Sequence, residues 1–201
     1  MEARSANTLF IVEVAIFTAI AFLLDYLSGI LMKSIWPQGG SISIAMVPVV
    51  LMAFRWGLKG GLLTGFLLGS IQLVNGFATI LYFLQIIFDY SLAFAMVGFA
   101  GLFAKPVQKA LMNGDKGKLL AYSIAGTVIG GLLRYFVHFI SGVTFFAQWA
   151  PEGQPVWLYS ITYNGGYMIP SIILTAVIVY LLLLTAPNQM MRKDLSLSKT
   201  V

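Results

Sequence analysis

The chain has 201 residues, of which 59% are hydrophobic and only 9% are charged, and its formal net charge is +5. Soluble domains carry about a quarter charged residues, so the composition excludes a water-soluble globular protein and predicts an integral membrane protein. The complete lack of cysteine excludes disulfides, thiolate metal sites and cysteine nucleophiles. Because the basic residues lie between apolar segments, they fit membrane orientation better than binding to nucleic acid.

Six apolar segments predict an all-α membrane protein with six transmembrane helices in one domain, residues 1–201. The predicted helices are 8–31, 42–54, 62–77, 78–103, 119–142 and 156–184. A helix needs about 20 residues to cross the hydrocarbon core. The second and third segments are shorter, so we expect them to be tilted, broken or partly interfacial.

The distribution of lysine and arginine predicts the orientation of these helices. The termini and every second connection hold Arg4, Arg55, Lys59, Lys105, Lys109, Lys116, Lys118, Arg192, Lys193 and Lys199. The remaining connections hold only Lys33, and Arg134 lies within a helix. By the positive-inside rule, both termini are expected to be cytoplasmic in a multi-pass protein of the plasma membrane.

Three predicted helices carry polar side chains at helical spacing, in the half that this orientation places near the outer face. They are Tyr82, Gln85 and Asp89, then Arg134, His138 and Ser141, and then Ser160, Asn164 and Tyr167. Asp25 of the first helix lies in the same half. Ionisable groups inside a membrane usually face a wet cavity or a binding site. We therefore expect an outward-open pocket for a small organic solute; in the alternative interpretation, Asp89 only neutralises Arg134.

Several motifs of catalytic and metal-binding proteins are missing from the sequence. It contains no GxxxxGK[ST], GxSxG or HExxH pattern, and it has a single histidine. ATP hydrolysis by a phosphate-binding loop is therefore not expected, and neither are a metal site, a cofactor or catalysis by this chain.

Five further motifs occur in a fixed order along the chain. They are Ser43–Pro48 (SIAMVP), Phe54–Gly57 (FRWG), Phe88–Tyr90 (FDY), Arg134–Gly142 (RYFVHFISG) and the later residues Tyr159, Ser160 and Asn164. Together they closely resemble the thiamine-specific S components of energy-coupling factor (ECF) transporters, over nearly the whole chain. The stretch Pro37–Ile44 is similar to the Bacillus-type branch of that family.

This resemblance implies the six-helix ECF S-component fold and high-affinity capture of thiamine from outside. It also implies association with a transmembrane coupling protein and two cytoplasmic ATPases, through Ala15 and Ala19 of the first helix. The implied binding residues are Asp89, Tyr90, Arg134, His138, Gly142, Phe146, Tyr159 and Asn164, with Trp157 as an added stacking surface. The loop containing Pro37–Gly40 is a candidate lid.

The chain departs from its relatives at several implied binding positions. Gly39 and Ser43 replace a tryptophan and a glutamate, Leu68 and Thr79 replace aromatic residues, and Phe146 replaces a tryptophan. Asp89 is shorter than the usual glutamate. Three alternatives stay open: an S component for another vitamin or a thiamine precursor, a stand-alone carrier coupled to protons through Asp89 and His138, and a membrane enzyme.

Overall fold

The computed structural model describes residues 2–32, 35, 40–74 and 79–191, without the side chains of residues 2–5. The described residues form helices and no strand. The α-helices are α1 (Glu2–Met32), α2 (Met46–Ile71), α3 (Phe83–Ile86), α4 (Ala93–Val97), α5 (Ala104–Asn113), α6 (Lys116–Phe145), α7 (Val156–Thr185) and α8 (Pro187–Met190). A π-helix, Ile87–Leu92, joins α3 to α4, and a 3-10 helix, Gly98–Phe103, joins α4 to α5.

Five helical stretches of the described chain are long and apolar enough to cross a membrane. They are Ala6–Met32, Met46–Val74, Phe83–Asn113, Lys116–Phe145 and Val156–Thr185. The third of these contains α3, the π-helix, α4, the 3-10 helix and α5, and we call it the segmented helix. The multi-pass membrane protein expected from the composition is therefore confirmed.

Helix α2 is broken at Gly57, which has φ 73° and ψ −164°. A Cβ atom on Gly61 would lie only 2.6 Å from the Cβ atom of Ala53. Eight residues along a straight helix span about 12 Å, so the chain turns sharply and its two arms, 46–56 and 58–71, pack against each other beside the turn. The arms correspond to the predicted second and third helices, so the five spans of the described chain are roughly consistent with the six predicted helices.

The helix ends lie some residues away from the predicted bounds. Helix α1 begins at Glu2, the first arm of α2 begins at Met46, and α6 extends from Lys116 to Phe145. The predicted junction between 62–77 and 78–103 falls on residues 75–78, outside the described residues, and helix resumes at Phe83. Backbone hydrogen bonding continues past the edge of an apolar segment, so hydropathy alone does not locate the last turn.

A polar network joins three elements at one end of the bundle. The Glu13 carboxylate accepts hydrogen bonds from Arg55 Nε at 2.7 Å, Arg55 Nη2 at 2.8 Å and Trp56 Nε1 at 2.6 Å. Arg55 Nη1 also donates to the carbonyl oxygens of Gln189, at 2.7 Å, and Met191, at 2.9 Å. The first half of α1, the Gly57 turn and the chain after α7 therefore meet here. We call this the basic end, and the opposite one the far end.

Glycines allow the second arm of α2 to lie directly on the segmented helix. A Cβ atom on Gly65 would overlap the carbonyl oxygen of Phe94, and one on Gly69 would overlap that of Tyr90. A Cβ atom on Gly61 would lie 2.7 Å from the Cα atom of Gly98. Small residues four apart let helix backbones approach closely, and here they pack against other parts of the same chain.

Replacing Gly65 by alanine is expected to lower stability, because the new methyl group would overlap the Phe94 carbonyl. Overpacking of this kind typically costs about 1–3 kcal/mol. We expect a lower thermal unfolding midpoint for detergent-purified Gly65→Ala than for the unchanged chain. Gly117→Ala is the matched control, since the nearest atom to its added Cβ is 3.7 Å away. Equal midpoints for the two variants would contradict the packing argument.

Candidate ligand-binding site

Polar residues from three separate helices lie at a similar depth below the far end. Asp89 follows the start of α3 by six residues, His138 precedes the end of α6 by seven, and Asn164 follows the start of α7 by eight. At 1.5 Å per residue these positions are roughly 9–12 Å from the helix ends. The fold therefore brings three distant parts of the sequence to one level.

A chain of hydrogen bonds connects α6 to the segmented helix. Arg134 Nε donates to His138 Nε2 at 3.3 Å, and His138 Nδ1 lies 3.4 Å from Asp89 Oδ1. The other oxygen, Asp89 Oδ2, accepts from Gln85 Nε2 at 2.7 Å. Because Nε2 accepts from the guanidinium, the ring proton belongs on Nδ1, where it donates to Asp89. The imidazole is thus neutral and stands between the arginine and the carboxylate.

The Arg134 side chain is buried without a direct carboxylate partner. It is 7% exposed, and its Cζ atom lies 3.7 Å from the centroid of the Phe94 ring. The ion pairs within 4 Å in the described chain join other residues. A desolvated cation–π contact is worth about 2 kcal/mol, so the phenyl face and the imidazole take the place of an ion pair. Direct neutralisation of Arg134 by Asp89, the alternative interpretation, is not the arrangement found.

Helix α7 joins this network through Asn164. Its Nδ2 donates to the carbonyl oxygens of Ser160, at 2.9 Å, and His138, at 3.3 Å. Its Oδ1 accepts from the Tyr167 hydroxyl at 2.6 Å. The edge of the Tyr167 ring meets the His138 ring with 6.0 Å between centroids. Asn164 therefore connects α6 and α7 at the level of the imidazole.

Gly142 permits this close approach of α6 and α7. A Cβ atom at Gly142 would overlap Ser160 Oγ and would lie 3.1 Å from Asn164 Nδ2. Ser160 Oγ is itself fixed, because it donates to the Phe139 carbonyl at 2.8 Å. A side chain at position 142 would therefore displace the serine and the amide together.

Asp89 and Tyr90 lie in the π-helix Ile87–Leu92. Such wide turns are rare and often occur at functional sites. The Tyr90 hydroxyl donates to the carbonyl oxygen of Thr79 at 3.3 Å, and Gln85 Nε2 donates to the same oxygen at 3.0 Å. Thr79, where the resemblance implies a replaced aromatic residue, thus contributes its backbone carbonyl to these hydrogen bonds.

The remaining aromatic candidates lie nearer the far end. Just after α6, the Phe146 ring packs on the Trp149 ring with 5.0 Å between the ring centroids. Early in α7, the centroids of the Tyr159 and Tyr163 rings are 5.5 Å apart. Trp157 is 54% exposed, so the structure leaves it outside the polar network. A depression of about 410 Å³ also opens at this end, lined by Tyr82, Phe83, Leu84, Thr144, Phe145, Ala147 and Gln148.

The chain segment after the candidate lid passes beside this site. Residues Pro37–Gly39, including the position where the relatives carry tryptophan, lie outside the described residues. Gly40 has φ +100°, and a Cβ atom there would lie 2.5 Å from Tyr167 Cε1. Glycine is therefore needed at Gly40 both for its backbone conformation and for space.

Three polar residues near the site had no assigned role in the sequence. Ser43 Oγ donates to Asp25 Oδ1 at 3.4 Å, and the Gln72 side chain also hydrogen-bonds this carboxylate. The depth of Asp25 was visible from its place in the first helix. Gln72 stands just after α2 with no motif around it, and Ser43 was noted only as a replaced position. Leu68, another replaced position, is fully buried in the apolar core.

Helix α1 presents an apolar surface away from the bundle. Ala15 and Ala19 are both exposed on it, and so are Ile11, Ile16 and Ile20. The two alanines therefore lie on an accessible helix face and are not covered by the part of the chain that the structure describes.

Comparisons with known proteins agree with the motifs. The family model described as "Thiamine transporter protein" matches residues 11–191. "Thiamine transporter ThiT" of Bacillus subtilis is 46% identical over 92% of this chain and 95% of its own length. The protein of the same name from Lacticaseibacillus paracasei is 37% identical, with coverage of 92% and 91%.

A solved structure, ThiT from Listeria monocytogenes, superposes on this fold with a TM-score of 0.81 at 30% sequence identity. The match covers 93% of this chain and all of that one. The resemblance seen in the sequence is thus confirmed, and the chain belongs to the thiamine transporter protein family.

Proposed function

We propose that this chain is the thiamine-capture subunit, or S component, of an ECF-type vitamin uptake transporter. The observation that carries the proposal is the convergence of Asp89, His138 and Asn164 at one level in a member of this family. Thiamine joins an aminopyrimidine, a cationic thiazolium ring and a hydroxyethyl group. A carboxylate, an amide and aromatic faces are the groups that would recognise these parts.

Each site residue has a role in this proposal. Asp89 binds the cationic or polar portion of thiamine, and Arg134 and His138 hold that carboxylate in place. Tyr90, Tyr159 and Asn164 orient the pyrimidine and hydroxyl ends, while Gly142 leaves space. His138 and Phe146 supply stacking surface. Trp157, which is 54% exposed at the start of α7, is an added stacking surface in this proposal.

The proposed orientation places the far end outside the cell and both termini in the cytoplasm. Exposed lysines at or next to the basic end support it, because positive charge is enriched on the cytoplasmic side. In the described chain these are Lys59, Lys105, Lys109, Lys116 and Lys118. Arg192, Lys193 and Lys199 lie outside the described residues. The binding site then opens to the side from which the vitamin arrives.

The proposed partners are a transmembrane coupling protein, two cytoplasmic ATPases and the lipid bilayer that surrounds this chain. Ala15 and Ala19 are exposed on α1, and small residues four apart allow a second helix to approach closely. ATP hydrolysis belongs to the partners, and this chain binds its substrate without catalysing a reaction.

Replacing Asp89 by asparagine is expected to weaken thiamine binding more than tenfold, because the charge that faces the ligand is lost. A tenfold change corresponds to about 1.4 kcal/mol. Isothermal titration of the purified variant measures the thiamine affinity. Glu152→Gln is a control at an exposed position. Unchanged affinity would remove Asp89 from the site. A wild-type chain that binds another vitamin and not thiamine would contradict the proposed function.

Replacing Ala15 and Ala19 by tryptophan is expected to prevent assembly with the coupling protein and ATPases while leaving thiamine affinity within twofold. Bulky rings would block the approach of a partner helix without touching the polar site. Ala121→Trp, an exposed alanine of α6, is the matched control. Co-purification of the complex and vitamin uptake by cells are the measurements. Uptake that continues without the ATPases and stops with a protonophore would instead favour a proton-coupled carrier.

A further inference from the structure

We propose that Asp25 is a second ligand-binding carboxylate of this site and makes it selective for a ligand with one positive charge. The inference rests on the proposed function, because it adds a residue and a charge requirement to the same site. The motifs place acidic recognition at Asp89 alone, on the segmented helix. Asp25 would supply a second carboxylate from α1, on another side of the ligand.

Asp25 lies at the same depth as the other polar groups. It precedes the end of α1 at Met32 by seven residues, which is roughly 10 Å of helix. The two donors to its carboxylate, Ser43 and Gln72, are buried, at 3% and 4% exposure. Asp25 itself is half-buried, and its two buried donors fix the position of its carboxylate.

The Ser43 side chain has a defined orientation. Its backbone nitrogen donates to Ser171 Oγ at 3.0 Å, and its own Oγ accepts from the Ala45 nitrogen at 3.1 Å. The hydroxyl proton is therefore available for Asp25 Oδ1, 3.4 Å away. This segment directly follows Gly40, which packs on Tyr167 of the site. Asp25 is thus tied to the same segment that passes beside the polar network.

Asp25 also faces the charged groups of the network. It lies close enough to Arg134 and Tyr90 to interact with both electrostatically, and Tyr90 is equally within range of Asp89. Asp25 and Arg134 do not form an ion pair within 4 Å among the described residues. Asp25 on α1 and Asp89 on the segmented helix therefore both lie near Tyr90, and neither carboxylate forms an ion pair with Arg134.

The charges at this level do not balance. Asp25 and Asp89 contribute two negative charges when ionised, Arg134 contributes one positive charge, and His138 is neutral because Nε2 accepts from Arg134. With both carboxylates ionised, one negative charge remains at a site largely removed from water, where an uncompensated charge is costly. A ligand with one permanent positive charge restores neutrality. A neutral ligand does not, and a phosphorylated ligand adds to the excess.

The test compares thiamine with its neutral isostere, in which carbon replaces the quaternary ring nitrogen. Isothermal titration gives the affinity of both for the full wild-type chain, Asp25→Asn, Asp25→Glu and the control Glu152→Gln. We expect the wild type and the control to bind thiamine at least tenfold more tightly than the isostere. We expect Asp25→Asn to lose at least tenfold in thiamine affinity and less than threefold in isostere affinity, and Asp25→Glu to retain the preference for thiamine.

Equal losses for both ligands in Asp25→Asn, or no loss for either, would overturn the proposal. Asparagine keeps an oxygen for Ser43, and the unfolding midpoint of each variant is measured alongside. If Asp25→Asn does not fold, a wild-type chain that binds the isostere as tightly as thiamine still overturns it. A wild-type chain that binds neither compound contradicts the proposed function itself. Thiamine binding without a preference for the cation contradicts only the charge requirement.

Discussion

The hydrogen bonds from Arg134 through His138 to Asp89 join α6 to the segmented helix through three largely buried polar groups. Each of these groups is costly to bury without a partner. Arg134 contacts His138 and the Phe94 ring, and His138 contacts Asp89. The path fixes the rotation of α6 relative to the segmented helix. Asn164 adds α7, because its amide donates to the His138 carbonyl. Three helices therefore share one register at the depth where a ligand would be held.

Close backbone packing makes that register possible. Gly65 and Gly69 bring the second arm of α2 onto the carbonyls of Phe94 and Tyr90, and Gly142 brings α6 onto Ser160. A side chain at Gly142 would push apart the helices that carry His138 and Asn164, and side chains at Gly65 or Gly69 would push α2 away from the segmented helix that carries Asp89. The glycines thus act on the site indirectly, by setting helix separation, whereas the polar residues set rotation and depth.

Different interactions hold the two ends of the bundle together. At the basic end, Glu13 and Arg55 hold the first half of α1, the Gly57 turn and residues 189–191 together. At the far end, the elements meet through the polar side chains that the proposed function assigns to the ligand. Helix α1 belongs to both: Glu13 anchors it near one end, Asp25 lies near the other, and Ala15 and Ala19 face outward between them.

The sequence by itself determined the membrane class, the helical fold, the family and the depth of Asp89, His138 and Asn164. These depend on composition, periodicity and position along a helix, which are local properties. Only the tertiary structure decided that Gly57 folds one helix into two arms, that His138 separates Arg134 from Asp89, and that Ser43 and Gln72 meet Asp25. It also decided that Trp157 stays exposed. Such pairings depend on the rotation and separation of helices distant in the sequence, and residue spacing within one helix does not contain that information.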